Sequence, residues 1–205
     1  MILINGSNFI DGLNGLFMGY FSIILIIILK TNLFYSLGFS IEQFLFLTSA
    51  FIFILILNYS NKLFMGDSGA YAISFLIGFS LIKIYNLSYN LSPYFIILLL
   101  WYPCFENLFS IIRKIVVKKS PLKPDNKHLH QYFFRYLMIR FNLKKVYANN
   151  CASVLINIFN LLIFLVGCLN MNHTTHQIKL ITFSVIVYLI TYKLLERYLR
   201  IKDSY

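Results

Sequence analysis

The stretch that decides the fold runs from Asn5 to Leu29 and reads NGSNFIDGLNGLFMGYFSIILIIIL. Its first part is polar and punctuated by glycine, whereas its second part is apolar and carries no charge. An apolar run of this kind predicts a helix that is surrounded by protein or lipid. The polar part would lie at the mouth of that helix, where glycine lets the backbone come close to a ligand.

The composition of the whole chain continues this pattern. Of its 205 residues, 59% are hydrophobic and only 12% are charged, and the mean hydropathy is +0.73. A soluble domain of this length would carry far more surface charge. Because a bilayer core of about 30 Å needs roughly 20 apolar residues per helical span, we predict an all-α, polytopic membrane protein that forms a single membrane domain over residues 1–205. The six predicted spans are Leu16–Leu29, Ile41–Leu57, Ala70–Leu87, Pro93–Ile112, Cys151–Leu169 and Ile178–Leu195.

The distribution of basic residues predicts the orientation of these spans. Six spans place both termini on one side, together with the loops 58–69 and 113–150. All of the 18 lysines and arginines fall on that side except Lys30, Lys83 and Lys179. The positive-inside rule therefore predicts an inner (plasma) membrane protein whose termini and loops face the cytoplasm. A net charge of +11 beside a membrane indicates anionic lipid head groups and phosphorylated substrates, and not nucleic acid, as partners.

Three polar motifs fall on the predicted cytoplasmic side. They read NGSNFIDGLNGL at 5–16, FMGDSG at 64–69 and PDNKHLH at 124–130. The chain has only seven acidic residues, and two of them, Asp11 and Asp67, adjoin a glycine in the first and second motifs. One or two carboxylates are what Mg²⁺ usually takes from a protein when substrate phosphates complete its shell. The motifs therefore predict a phosphate-binding site that uses a divalent metal.

Each motif also has a purely structural interpretation. Asp11 and Asp67 could cap the helices that follow them. His128 and His130 are two residues apart, so they do not share a helix face and could be interfacial loop residues. The segment QYFFRYLMIRF at 131–141 could be a helix that lies on the membrane surface. Independent caps and loops need not all fall on one side of the membrane, however, and this favours a shared site.

Taken in order, the motifs resemble those of the polyprenyl-phosphate N-acetylhexosamine-1-phosphate transferase family. The resemblance covers nearly the whole chain and includes a weaker P-x-x-D-x-x-x-x-x-x-R signal, in which Glu106 replaces the usual aspartate between Pro103 and Arg113. Asn5, Asn8, Asp11, Gly12, Gly15 and Leu16 match the family pattern N-x-x-N-x-x-D-G-x-D-G-L. Phe64, Met65, Gly66, Asp67 and Gly69 match the pattern F-M-G-D-x-G. Pro124, Asp125, His128 and His130 match the pattern P-D-x-x-H-x-H-H.

The resemblance implies a reaction and a set of roles. A UDP-N-acetylhexosamine would give its sugar-1-phosphate to a polyprenyl (undecaprenyl) phosphate and release UMP, with Mg²⁺ or Mn²⁺ as cofactor, to initiate cell-envelope polysaccharide synthesis. The histidine motif favours the N-acetylglucosamine branch, hence UDP-GlcNAc. The implied catalytic residues are Asp11, His128 and His130, the implied metal ligand is Asp67, and the implied substrate-binding residues are Asn5, Asn8, Asn14, Arg113 and Lys118.

The chain departs from the family pattern in three respects. Asn14 replaces the second aspartate of the first motif and Gln131 replaces the third histidine. Several spans and a loop with paired aspartates precede the first motif in the family. We therefore expect that the chain does not catalyse the transfer alone, and that an N-terminal half or a second copy is a partner. The alternatives are an inactive fragment, half of a split enzyme, a non-catalytic membrane subunit, and a transporter, which would need ionisable residues within its spans.

Overall fold

The computed structural model describes residues 1–118, 120 and 127–203, and this part of the chain is helical with no strand. The prediction of an all-α fold is therefore confirmed. A short 3₁₀ helix, Leu33–Leu37, connects the second and third α-helices. The α-helices are α1 (Ile2–Ile10), α2 (Leu16–Lys30), α3 (Ile41–Tyr59), α4 (Gly66–Leu87), α5 (Pro93–Val116), α6 (Leu129–Phe141), α7 (Lys145–Leu169) and α8 (Thr174–Asp203).

Each of the six predicted spans falls within one of these helices. By length and composition, α3, α4, α5, α7 and α8 can each cross a membrane, whereas α2 is apolar but has only 15 residues. Large apolar side chains remain exposed on the outer faces of α3, α4 and α8, as with Phe46, Phe53, Phe79 and Leu194. An exposed apolar surface of this extent indicates contact with lipid. The chain is thus a multi-pass membrane protein.

The region 113–150 is not the continuous loop that the sequence predicts. The fifth helix continues to Val116, and α7 begins at Lys145. Between them, α6 confirms the helix predicted near 131–141, and its position on the membrane surface stays a prediction. It packs against α7 and α8 and buries Tyr132 and Leu137. Helix α1 was not predicted at all, because its polar residues and Gly6 weaken the helical signal.

The second helix forms the centre of the molecule. Nearly all of its residues are buried, and it packs against α3 and α7. A helix that is apolar all round is stable only when other elements cover every side of it. This explains why a helix too short to cross a bilayer alone nevertheless holds the central position.

Two helices, α1 and α2, pack against α5 around Pro103. Pro103 lacks an N–H group, so the Leu99 carbonyl loses its usual helical partner. The Tyr20 hydroxyl donates to that carbonyl at 2.8 Å instead, which ties α2 to α5. One turn further along, a Cβ atom on Gly6 would overlap the Pro103 carbonyl oxygen. Only glycine therefore permits α1 to lie this close to α5, and α1 is held between α4 and α5.

Candidate active site

The first motif forms α1 and the turn that follows it. Asn5 and Asn8 are separated by one helical turn, and Asn8 Nδ2 donates to the Tyr71 hydroxyl on α4 at 3.4 Å. Asp11 terminates α1, and its backbone N–H donates to the Ser7 carbonyl at 3.2 Å. The interpretation of Asp11 as a cap of α2 is therefore wrong, because Asp11 ends one helix and Gly15 begins the next. The carboxyl group of Asp11 is left available for another role.

Two acidic side chains that are 56 residues apart in sequence, Asp11 and Asp67, interact electrostatically at the end of α1. Asp67 lies in the first turn of α4, and no side-chain hydrogen bond caps this helix within the described residues. Burial, and then the charge of Asp67, raise the pKa of Asp11 from 3.8 to about 6, although a hydrogen bond with the Gly66 backbone opposes the rise. A carboxyl group that is hard to ionise beside another carboxylate is stabilised by a bound cation.

The pair of Asp11 and Asp67 suits Mg²⁺ among the divalent metals. Within the described residues, no group of three or more histidine, cysteine, aspartate or glutamate side chains could surround a metal ion. Two carboxylates are too few for a closed structural site, but they suit Mg²⁺, which keeps several waters and binds substrate phosphates. Asp11 and Asp67 are therefore the residues that could hold such an ion.

The two histidines of the third motif are buried side by side. His128 has extended backbone angles and precedes the first turn of α6, whereas His130 lies within that turn. This change of backbone conformation overcomes the two-residue spacing, and the rings stack with centroids 5.5 Å apart and planes 8° apart. His128 is 4% exposed and His130 is fully buried. The interpretation of both as interfacial loop residues is therefore wrong.

The histidine pair also contacts the end of α1. The His128 ring lies 4.9 Å from the Phe9 ring, centroid to centroid. A Cβ atom on Gly12 would lie 3.2 Å from His130 Nε2. Neither ring nitrogen of His130 has a hydrogen-bond partner in the described part of the chain, and burial lowers the pKa of His130 from 6.5 to about 4. The fold thus brings together the first motif, the second motif and the histidines of the third.

Asn14 holds a different position from the other predicted site residues. It is buried in the turn between α1 and α2, where its side-chain amide donates to Asn61 and its backbone N–H donates to Asn149 Oδ1 at 2.8 Å. Ser153 Oγ donates to the Asn14 carbonyl, and Asn157 Nδ2 donates to the Gly15 carbonyl at 2.9 Å. These bonds fix the turn against α3 and α7. The substrate-binding role of Asn14 stays a prediction, with a structural role beside it.

Three further predicted substrate-binding residues lie on α1 and at the end of α5. Asn5 is exposed on α1. Arg113 donates to the Lys127 carbonyl and the Tyr192 hydroxyl, and its guanidinium lies 5.5 Å from the centre of the Tyr192 ring. Lys118 is exposed in the turn that ends α5. Pro124 and Asp125 of the third motif lie outside the described residues. The roles of all these residues remain predictions.

Sequence reasoning assigned no role to two groups that support this site. Glu106 is 1% exposed, and its Oε1 atom accepts from His128 Nδ1 at 2.9 Å and from the Leu129 N–H at 3.2 Å. The polar face of α7, formed by Asn149, Ser153 and Asn157, holds the turn after α1. A sequence signal did exist for the second group, because polar residues at i, i+4 and i+8 within an apolar helix share one face.

Comparisons with known proteins agree with the motifs. Residues 1–85 match the family model described as glycosyl transferase family 4. An undecaprenyl-phosphate alpha-N-acetylglucosaminyl 1-phosphate transferase of Thermotoga maritima is 34% identical over 65% of this chain and 40% of its own length. A decaprenyl-phosphate N-acetylglucosaminephosphotransferase of Mycolicibacterium smegmatis is 29% identical over 62% of this chain and 37% of its own length. A probable undecaprenyl-phosphate N-acetylglucosaminyl 1-phosphate transferase of Bacillus subtilis is 33% identical over 62% of this chain and 36% of its own length.

The family resemblance predicted from the motifs is thereby confirmed. The chain spans about two fifths of the length of the curated relatives that it matches. No solved structure is a significant match.

Proposed function

We propose that this chain takes part in the transfer of N-acetylhexosamine-1-phosphate from a UDP-sugar to a polyprenyl phosphate on the cytoplasmic face of the plasma membrane. In this reaction a phosphate oxygen of the lipid attacks the sugar-linked phosphorus of the nucleotide sugar, and UMP leaves with the bridging oxygen. The observation that carries the proposal is the convergence of Asp11, Asp67 and the His128–His130 pair at one place, although 56 and 61 residues separate these motifs in sequence.

The chemistry of the two substrates fits the groups gathered there. A lipid phosphate and a nucleotide diphosphate bring several negative charges together, and catalysis requires that these charges are neutralised. Asp11 and Asp67 would hold Mg²⁺, or Mn²⁺ in its place, and the metal would supply this neutralisation when bound. Asn8 lies one turn before Asp11 on α1 and would contact the nucleotide or the sugar. The imidazoles of the histidine pair would contact phosphate or sugar oxygens.

The proposal is tested by Mg²⁺-dependent binding of UDP-GlcNAc to the purified chain in lipid nanodiscs, measured by calorimetry. The variant Asp67→Asn should lose the metal-dependent part of binding because one carboxylate of the pair becomes neutral. Glu42→Gln is the matched control, since Glu42 lies in the first turn of α3 and has no place in this site. Binding of UDP-GlcNAc that is the same with Mg²⁺ and with EDTA, or a Mg²⁺ dependence that survives in Asp67→Asn, would contradict the proposal. UMP release on addition of polyprenyl phosphate, with and without a co-expressed N-terminal half from a relative, then measures the transfer itself.

A further inference from the structure

A buried glutamate anchors the histidine pair from inside α5. Glu106 Oε1 receives two donors, the Nδ1–H group of His128 at 2.9 Å and the backbone N–H of Leu129 at 3.2 Å. A backbone N–H can only donate, so this oxygen acts as an acceptor. Leu129 is the first residue of α6, where backbone N–H groups have no helical partner. One carboxylate oxygen therefore fixes both the start of the helix and the histidine that precedes it.

The bond to Nδ1 determines which nitrogen of His128 carries the proton. In a neutral imidazole one ring nitrogen donates and the other accepts, and the partner of one nitrogen sets the role of the other. With Nδ1–H held by Glu106, Nε2 keeps its lone pair and can accept a proton or a hydrogen bond from a ligand. The rings of Phe9 and His130, at 4.9 and 5.5 Å, restrict rotation of the imidazole from its two sides. The contact with Glu106 and the two flanking rings thus favour one orientation and one tautomer of His128.

The cost of burying Glu106 indicates that it has a function beyond packing. A carboxylate within a membrane-spanning helix is unfavourable unless it is paired, and such residues are functional by default. The second oxygen, Oε2, has no hydrogen-bond partner among the described residues. Tyr102 on α5 and Tyr188 on α8 lie near enough to interact electrostatically with the carboxylate. An apolar side chain of similar size would avoid this cost, but it could not accept a hydrogen bond from the Nδ1–H group of His128.

We propose that Glu106 is a positioning residue for His128: it holds the Nδ1–H tautomer and presents Nε2 to the phosphorylated substrate. The assignment to a substrate rests on the proposed function, whereas the assignment of the tautomer does not. Glu106 acts through the histidine that it orients. A glutamate takes the place of the aspartate at this position of the family pattern, which places the carboxylate one methylene further from the α5 backbone.

The test is ¹⁵N NMR of the full chain labelled at its four histidines, in nanodiscs and at a pH at which the imidazoles are neutral. The signals of His128 are assigned by their loss in His128→Gln. Wild-type protein should show the proton of His128 on Nδ1. Glu106→Gln keeps an acceptor oxygen and should retain this tautomer, whereas Glu106→Leu should move the proton largely to Nε2. The matched control Glu196→Gln removes a partly exposed acidic group paired with Arg200 at 2.7 Å and should leave the spectrum of His128 unchanged.

The outcomes separate the positioning role from the proposed function. A proton on Nε2 in the wild-type protein, or an unchanged tautomer in Glu106→Leu, overturns the positioning role. If Glu106→Leu does not accumulate, the wild-type spectrum and Glu106→Gln decide the question. In a transfer assay that includes an N-terminal half from a relative, Glu106→Leu should lose about 10- to 100-fold in activity, the range found when the hydrogen-bond partner of a metal-bound histidine is removed, and Glu196→Gln should lose none. If His128 carries its proton on Nδ1 but the chain does not bind the UDP-sugar, the proposed function is refuted and the positioning role stands. If the chain binds the UDP-sugar but His128 carries its proton on Nε2, the positioning role is refuted and the proposed function stands.

Discussion

Replacing Gly15 by alanine should destabilise the fold at the turn that ends the first motif. Gly15 has a φ of +75°, in the left-handed region, and an added Cβ would overlap the ring of Tyr59 on α3. Alanine in that conformation costs about 1–2 kcal/mol, and forcing the ring aside adds about 1–3 kcal/mol. We therefore expect a loss of roughly 2–5 kcal/mol in the free energy of unfolding, measured by equilibrium unfolding in mixed detergent micelles.

A matched control separates the two contributions. Gly38 has a φ of +86°, and no atom lies within 4 Å of the Cβ that alanine would add. Gly38→Ala should therefore lose only the conformational part, about 1–2 kcal/mol. In a double-mutant cycle, Gly15→Ala should cost about 1–3 kcal/mol less when Tyr59 is already alanine. Equal losses for Gly15→Ala and Gly38→Ala, together with no coupling to Tyr59, would refute the steric reasoning.

The remaining predictions concern pH and topology. Because burial lowers the pKa of His130 from 6.5 to about 4, the unfolded chain binds a proton below pH 6.5 that the folded protein does not accept until about pH 4. Stability should thus be fully present above pH 6.5 and fall by about 1.4 kcal/mol per pH unit as the pH drops from 6.5 towards 4, about 3 kcal/mol in total. His130→Gln should flatten this pH dependence, whereas His173→Gln, which changes an exposed ring, should leave it unchanged. Equal slopes in the wild-type protein and both variants would contradict the assignment of the pH dependence to His130. With cytoplasmic termini, an impermeant thiol reagent applied to intact cells should label Tyr89→Cys and miss Lys62→Cys, and the reverse pattern would overturn the orientation.

The membrane fold could be predicted from sequence because it depends on local composition. A run such as residues 151–169 contains enough apolar residues to span a bilayer whatever its neighbours are, since lipid is a uniform solvent. Helix α1 and the true ends of α5 and α7 escaped prediction for the opposite reason. The first is stable because Gly6 packs against Pro103, and Arg113 and Lys145 continue helices beyond the apolar windows that mark the spans.

The candidate site, like the fold, has some features that the sequence predicts and others that only the tertiary structure shows. The sequence by itself determined the polar motifs and the scarcity of carboxylates, because these are properties of residue type and order. Only the tertiary structure decided that Asp11 meets Asp67, that an extended residue before α6 stacks His128 on His130, and that Glu106 holds the first of these rings. The physical reason is that a short-range electrostatic contact or hydrogen bond depends on distances of a few ångströms between residues far apart in the chain. Helix packing sets those distances, and no local pattern records them.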